Sequence, residues 1–342
     1  MLQGGALIGQ GPSGCTFDTL PHCSRRARTV RNGRFSAVAT TRRVAKIVRR
    51  NPANEIHTSH ELMKLPGYEQ YFVLIDEYCR TDDITGDPDW DKCSLLKPGR
   101  RRHPTFMQLR MKYGGIRLSE YARDIEMLLK HWVDIQIHVA QAINLLHKNG
   151  WVHGDLHFGN ILIDERNIPR LVDFGLSFHL SDLKEKDVVH LTFLPKYDNY
   201  APELDYVAGL RKGLSADEVI KTIFENKGIL EEIDELFPSQ KSAQQKFEQF
   251  AALNTVAAGH ETVEYILDYI RCADMWCLGF DLFSLYKLMI SNNHVLRSPF
   301  YRNHHRDQMH ILEGLLHPDP RHRLTSEGLL TELYTLKMEF NE

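Results

Sequence analysis

Gly114-Gly115 divides this chain into two halves with different periodicities. Before it, apolar residues come in short runs parted by polar loops, at 7–8, 15–20, 44–48, 71–75 and 106–111. Each run reads as a strand, and the last alternates as a half-buried strand does. One helix is expected in this half, over 54–65, stopped by Pro66-Gly67. After Gly115 the apolar residues recur at three- and four-residue spacing, over 118–129 and 132–147, and Asn149-Gly150 closes the second helix. Short apolar runs follow at 160–163 and 170–172. Helices dominate from about residue 215, where Ser215-Ala216-Asp217-Glu218 has the form of a capping box. A strand-rich half followed by a helix-rich half predicts an α+β fold in two lobes.

Composition supports a folded chain of that size. The 342 residues are 42% hydrophobic and 25% charged, which excludes a disordered chain and a coiled coil. The net charge of −3 calls for neither a nucleic-acid nor a membrane partner. The charge is uneven, however. Residues 1–50 hold ten Lys/Arg against Asp18 alone, a balance of +9. Arg25, Arg26, Arg28, Arg31 and Arg34 cluster there, and Arg100-Arg101-Arg102-His103 form a second run. Each is either a solvated loop or a dock for an acidic partner or nucleic acid. No apolar stretch reaches the ~18 residues that a membrane span needs. The opening MLQGGALIGQGPSG lacks the positive region of a signal peptide, and Leu2 stands where a myristoyl signal needs glycine. Six cysteines, at 15, 23, 79, 93, 272 and 277, form no C-x-x-C pair, so reduced thiols in an intracellular protein are expected. The His304-His305…His310 group lacks partners at zinc spacing and reads as a solvated loop.

Three features carry chemistry. Gly9-Gln10-Gly11-Pro12-Ser13-Gly14 follows an apolar pair, and glycines let backbone amides approach phosphates closely. A dinucleotide-binding reading would need a helix next, whereas Cys15-Thr16-Phe17-Asp18 reads as strand. Lys46 is the only lysine in the first 63 residues and lies in an apolar strand. It either meets an anion or snorkels from an edge. The third feature is His153-Gly154-Asp155-Leu156-His157-Phe158-Gly159-Asn160, followed by Asp173-Phe174-Gly175. Phosphoryl transfer needs a carboxylate to orient the attacking hydroxyl, with an amide oxygen and a second carboxylate to hold a divalent cation. Asp155, Asn160 and Asp173 supply these types at H-x-D-x-x-x-x-N…D-F-G spacing.

On these motifs the chain resembles the protein kinase superfamily along nearly its whole length. The resemblance extends to Ala201-Pro202-Glu203, to Asp274-Met275-Trp276-Cys277-Leu278-Gly279 (D-x-W-x-x-G), and to Asp319-Pro320-Arg321-His322-Arg323-Leu324-Thr325 (D-P-x-x-R-x-T). It implies a small antiparallel-sheet lobe with one helix, residues 1–112 with insertions at about 22–40 and 80–103. A mostly helical lobe of residues 113–342 would follow, with an activation segment over 173–203 and a helical insertion at about 207–268. It implies that Gly9, Gly11 and Gly14 form the glycine loop over ATP and that Lys46 holds the phosphates. Glu55 is the preferred partner of that lysine, Glu61 the alternative. Asp155 would be the catalytic carboxylate, and Asn160 and Asp173 would bind Mg²⁺ or, in its place, Mn²⁺. Met111 would back the adenine pocket, with Lys112 and Tyr113 offering backbone hydrogen bonds. Arg323 would pair with Glu203.

The implied function is ATP-dependent transfer to a protein hydroxyl, serine or threonine because the arginine-containing loop of tyrosine kinases is missing. Gly154 replaces the arginine that often receives an activation-loop phosphate, so activity is expected not to depend on phosphorylation at Thr192 or Tyr197. His157 replaces a lysine, and H-G-D-L-H-x-G-N is also seen in aminoglycoside and choline phosphotransferases. A small-molecule kinase therefore stays open, as does a pseudokinase that serves as an interaction module. Glu203, Asp274 and Arg323 favour the protein kinase. Gly14-Cys15, Met63…Tyr71-Phe72…Cys79 and the long insertions look most like kinases of large DNA viruses. That likeness implies a cytoplasmic place in a host cell, or a virion.

Overall fold

Residues 43–48 form the strand around which the first half is built. A computed structural model describes residues 6–11, 14–24, 27–30, 42–49, 51–81, 92–94, 106–182, 192–252 and 261–341. Arg25, Arg26, Arg31, Arg34, the Arg100–His103 run and most of both insertions expected in the first half lie outside them. The chain forms two units, Met1–Gly115 with Arg170–Leu176, and Ile116–Pro169 with Ser177–Glu342.

The first unit holds strands β1 (Leu7–Gln10), β2 (Cys15–Phe17), β3 (Arg28–Thr29) and β4 (Arg43–Val48). Helices α1 (Ala53–Leu62) and α2 (Tyr68–Tyr71) follow, then β5 (Glu77–Thr81) and β6 (Phe106–Lys112). The strands make one antiparallel sheet in the order β1-β2-β4-β6-β5-β3. Val44 to Val48 are all buried, because β4 lies between β2 and β6 and is covered on both faces. Ala45 and Ile47 pack with Cys15, Phe17 and Phe106, while Val48 packs with Leu109, Ile56 and Met63. Side chains two apart share a face, so Lys46 lies on the Val48 face, the one that meets α1. In α1 the buried residues are Glu55, Thr58, Ser59 and Leu62, one stripe at helical spacing.

Two expectations are corrected in this unit. Residues 71–75 are not a strand. Gly67, at φ +73°, starts the one-turn helix α2, a second helix where one was expected. Phe72 makes a single bridge to Leu171, and the strand proper is Glu77–Thr81. The apolar run is a buried connection whose amides are satisfied outside a ladder, Val73 N–H by Leu171 O at 3.0 Å and Ile75 N–H by Ser59 Oγ at 3.3 Å. The cysteines are not all reduced. Cys15–Cys93 and Cys23–Cys79 are disulfides with Cα–Cα distances of 6.1 and 5.7 Å, and Cys272 and Cys277 are free. The pairing joins residues 78 and 56 positions apart, so local spacing carries no sign of it.

The second unit begins with β7 (Ile116–Arg117), α3 (Leu118–Tyr121) and α4 (Ile125–Lys148). The break between the helices falls at 122–124 instead of 130–131. Asp124 accepts from Met127 N at 3.0 Å and caps α4, which runs unbroken for 24 residues. Gly150, at φ +74°, ends it. Then come β8 (Trp151–Val152), β9 (Ile161–Ile163), β10 (Pro169–Leu171), whose last two residues belong to the first unit, and β11 (Phe178–His179). β8 pairs with β11 and β9 with β7, both antiparallel. The remaining elements are α5 (Pro202–Arg211), α6 (Ala216–Asn226), α7 (Gly228–Leu236), α8 (Ala243–Ala252), α9 (Glu261–Ile290), α10 (Asn293–Leu296), α11 (Pro299–Leu315) and α12 (Ser326–Asn341).

The capping box at Ser215 and Glu218 starts α6 as expected, and within the stretch 207–268, expected as a helical insertion, residues 216–252 hold α6, α7 and α8. His304, His305 and His310 are not in a loop. They lie on α11, with His304 buried and His305 hydrogen-bonded to the Tyr286 hydroxyl at 2.8 Å. Among the described residues no helix is long and apolar enough to cross a membrane.

Candidate active site

In the first unit Lys46, Glu55 and Asp173 come together. The Lys46 ammonium is 3.0 Å from Glu55 Oε1 and 2.7 Å from Asp173 Oδ1. It is 7% exposed. Burial works to lower its pKa, but the two carboxylates outweigh that and hold it above the ordinary amine range. The lysine thus keeps its charge inside the protein. Of the two glutamates considered, Glu55 makes the contact, whereas Glu61 pairs with Lys64 at 2.6 Å on the surface. Asp173 sits at φ +62°, a left-handed backbone that aspartate tolerates better than most residues. Its neighbours hold it there. The Phe174 ring meets Phe72 edge-on at 5.4 Å, and Asn54 Nδ2 donates to Gly175 O at 2.8 Å.

Gly9 and Gly11 lie at the end of β1 and Gly14 at the start of β2, and Gly11 N–H donates to Gly14 O at 3.0 Å. Gly9 pairs with Thr16 across the hairpin, and Thr16 in turn with Lys46. A Cβ on Gly14 would lie 2.6 Å from Ile47 O, so only glycine lets the turn sit against β4. A Cβ on Gly11 would meet nothing within 4 Å, so that side of the turn is open. Met111 and Lys112 end β6 opposite Val44 and Arg43. Tyr113 corrects its expectation in part. Its backbone N–H donates to Arg42 O at 2.9 Å and its ring lies under the Arg42 guanidinium at 4.0 Å, which takes that amide away from a ligand.

In the second unit Asp155 and Asn160 come together. Asn160 Nδ2 donates to Asp155 O at 2.8 Å and to Asp155 Oδ2 at 3.3 Å. The turn that holds them hangs on Asp274 of α9. Asp274 accepts from His153 N–H at 2.8 Å, from Gly154 N–H at 3.0 Å and meets His147 Nε2 at 3.1 Å. Burial pushes its carboxyl up, but His147 and the His153 amide outweigh this and leave it below the usual range. Gly154 sits at φ +74°, a backbone that suits glycine and penalises a side chain. His157 lies in the same turn. Its Nδ1 accepts from Gly159 N–H at 3.0 Å, and a Cβ on Gly159 would come within 2.6 Å of its ring. Beyond the turn, Arg323 makes a two-point ion pair with Glu203 at 2.6 and 3.0 Å, as expected, and also donates to Cys272 O and His317 O.

Sequence reasoning misses three contributors. The D-x-W-x-x-G motif marks Asp274 but not its role in gathering two amides. Asp281, two turns further along the same face of α9, is buried, bonds the Phe158 amide, and is pushed well above the usual carboxylate range by that burial. Lys227 carries no local signal, because its partners Asp205 and Tyr197 are 22 and 30 residues away.

Comparison with known proteins follows the same residues. Residues 104–208 match the protein kinase domain model, a stretch that includes Asp155, Asn160, Asp173 and Glu203. A protein kinase and PP2C-like domain-containing protein of Arabidopsis thaliana is 37% identical over 70 residues, 20% of this chain and 10% of that one. The proto-oncogene serine/threonine-protein kinase mos of Sus scrofa is 38% identical over 81 residues, 24% of this chain and 22% of that one. The serine/threonine-protein kinase ppk31 of Schizosaccharomyces pombe is 36% identical over 80 residues, 22% of this chain and 8% of that one. The chain thus spans between 8% and 22% of the length of these relatives.

Proposed function

We propose that this chain is an ATP-dependent protein kinase that transfers the γ-phosphate to serine or threonine hydroxyls. The observation that carries the reading is the buried Lys46 ammonium held between Glu55 and Asp173. Such a lysine–glutamate pair must be in place for a kinase to act. A charge kept inside a protein against desolvation calls for a function that offsets its cost. In this reading Lys46 meets the phosphates of ATP, and the glycine turn at Gly9, Gly11 and Gly14 covers them. Met111, Lys112 and the carbonyl side of Tyr113 border the base. Asp155 accepts a hydrogen bond from the attacking hydroxyl and orients it.

Each donor by its chemistry would suit Mg²⁺, a hard cation that takes oxygen ligands. Asp173 offers carboxylate oxygen. Asn160 directs its Nδ2 at Asp155, so its amide oxygen would be the atom that holds the cation. When bound, Mg²⁺ would neutralise charge on the phosphates. The other steps belong to the protein's own groups: positioning by Asp155, charge by Lys46, and shape by the glycine turn.

Serine or threonine as the acceptor is supported by the names of two of the relatives, both serine/threonine-protein kinases. The likeness to kinases of large DNA viruses belongs to the same proposal, as does a cytoplasmic place of action. A small-molecule kinase is the second reading, favoured by the His157–Gly159 turn. Labelled ATP with Mg²⁺, offered basic proteins beside small cationic alcohols, separates the two. Label on protein serine or threonine supports the first reading, and label on the alcohols alone replaces it with the second.

A further inference from the structure

Lys227 joins the first two helices of the insertion, α6 and α7, and its side chain is 0% exposed. Its ammonium is 2.8 Å from Asp205 Oδ2, and the Asp205 side chain is also 0% exposed. It donates to Tyr197 O at 2.5 Å and lies 6.0 Å from the centre of the Tyr200 ring. Asp205 in turn accepts from Leu194 N–H at 2.5 Å through its other oxygen. The same stretch is held from two further sides. Ile229 N–H donates to Asp198 Oδ1 at 3.2 Å, and the Trp276 indole donates to Asp198 O at 2.8 Å. Asn199 then reaches the turn that bears Asp155, donating to Leu156 O at 3.3 Å.

Removing an ammonium and a carboxylate from water opposes folding, and apolar side chains in their place are often as stable. The pair therefore adds little to stability and much to place. It satisfies one backbone donor and one backbone acceptor, at Leu194 and Tyr197. Loops of this kind elsewhere are ordered by new arginine–phosphate pairs. Here Gly154 offers no side chain for such a phosphate, and the ion pair with the insertion is already built in.

We propose that Lys227 is a positioning residue that fixes residues 194–203 to receive a protein substrate, so that the segment needs no phosphorylation. The inference rests on the protein kinase reading and names how that site is regulated. It gives the insertion a role, in which α6 and α7 deliver one ammonium to the segment before α5.

The test uses Lys227→Met/Asp205→Leu, which removes both buried charges together and so leaves no lone ion inside. The double variant is expected to melt within a few degrees of the wild type. Its KM for a protein acceptor should rise tenfold or more while its KM for ATP stays unchanged. Amide exchange at Asn199 and Tyr200 should speed up tenfold or more. An unchanged acceptor KM in a folded double variant, or unchanged exchange, overturns the proposal. Exchange is read without any turnover, so a wild type that transfers no phosphate would sink the kinase reading while this readout still decides the placement. Should the double variant not fold, phosphatase treatment of the wild type decides. Activity and exchange at Asn199 and Tyr200 that survive treatment support the proposal, and loss of both overturns it.

Discussion

Lys46 keeps a positive charge in a place where burial opposes it, and only the two carboxylates beside it explain that. Lys46→Met is expected to lower phosphate transfer by about a hundredfold or more, the scale seen when one preorganised charge-stabilising donor is lost. Steady-state rates of the folded variant check this. Asp76 behaves differently, although Arg43 pairs with it. Burial pushes its carboxyl up to about 6, against the pull of Arg43. A folded-state pKa above the unfolded value means that this group's stability is full below the unfolded pKa of ~3.9. It is lost as pH rises through the folded value. Asp76→Asn should therefore flatten the fall in melting temperature between pH 4 and about 6.5, and an unchanged slope would count against it. At this scale the sequence was legible wherever chemistry fixes spacing. Asp155 and Asn160 are five residues apart, and the turn joins them directly. Lys227 and Asp281 were silent, since a charged residue looks solvated until the fold puts an oppositely charged group or a backbone amide against it.

Elements were readable where glycine, proline or a cap marks an end. The β1–β2 hairpin, the stop after α1 and the start of α6 all carry such marks. Residues 71–75 misled because a buried connection and a buried strand share the same apolar pattern. The boundary between α3 and α4 misled because Asp124 is a cap only once its side chain meets Met127 N–H. The disulfides were illegible, since each ties elements far apart in sequence. Cys15–Cys93 fixes the strand after the glycine turn, and Cys23–Cys79 fixes the loop after it to β5. Each closes a long loop and should contribute roughly 2–4 kcal/mol. Melting with and without reductant measures this, and non-reduced peptide mapping should recover both linked pairs. The Arg323–Glu203 ion pair ties the start of α5 to the turn before α12. Arg323→Met leaves Glu203 buried alone and should cost about 3–5 kcal/mol, most of it regained in Arg323→Met/Glu203→Leu. Denaturant unfolding of the single and double variants checks the difference.

The whole molecule is a mixed fold whose first unit is an antiparallel sheet with two helices and whose second is mostly helical. The change of periodicity at Gly114-Gly115 expressed that division, because strands and helices bury their apolar residues at different spacings. It did not express the return of Arg170–Leu176 to the first unit, which brings Asp173 to Lys46. That return follows from Leu171, Phe174 and Gly175 finding partners at Phe72 and Asn54, contacts no local pattern foretells. The kinase reading gives one carboxylate of each unit a role: Asp155 would orient a hydroxyl, and Asp173, beside Lys46, would serve the phosphates. The direct measurement is γ-phosphate transfer from ATP with Mg²⁺ by the wild type, Asp155→Asn and Asp173→Asn, each shown to be folded. Transfer to protein serine or threonine is expected from the wild type, with its loss in both variants. Transfer that survives in either folded variant, or none from a wild type that binds ATP, would contradict the reading.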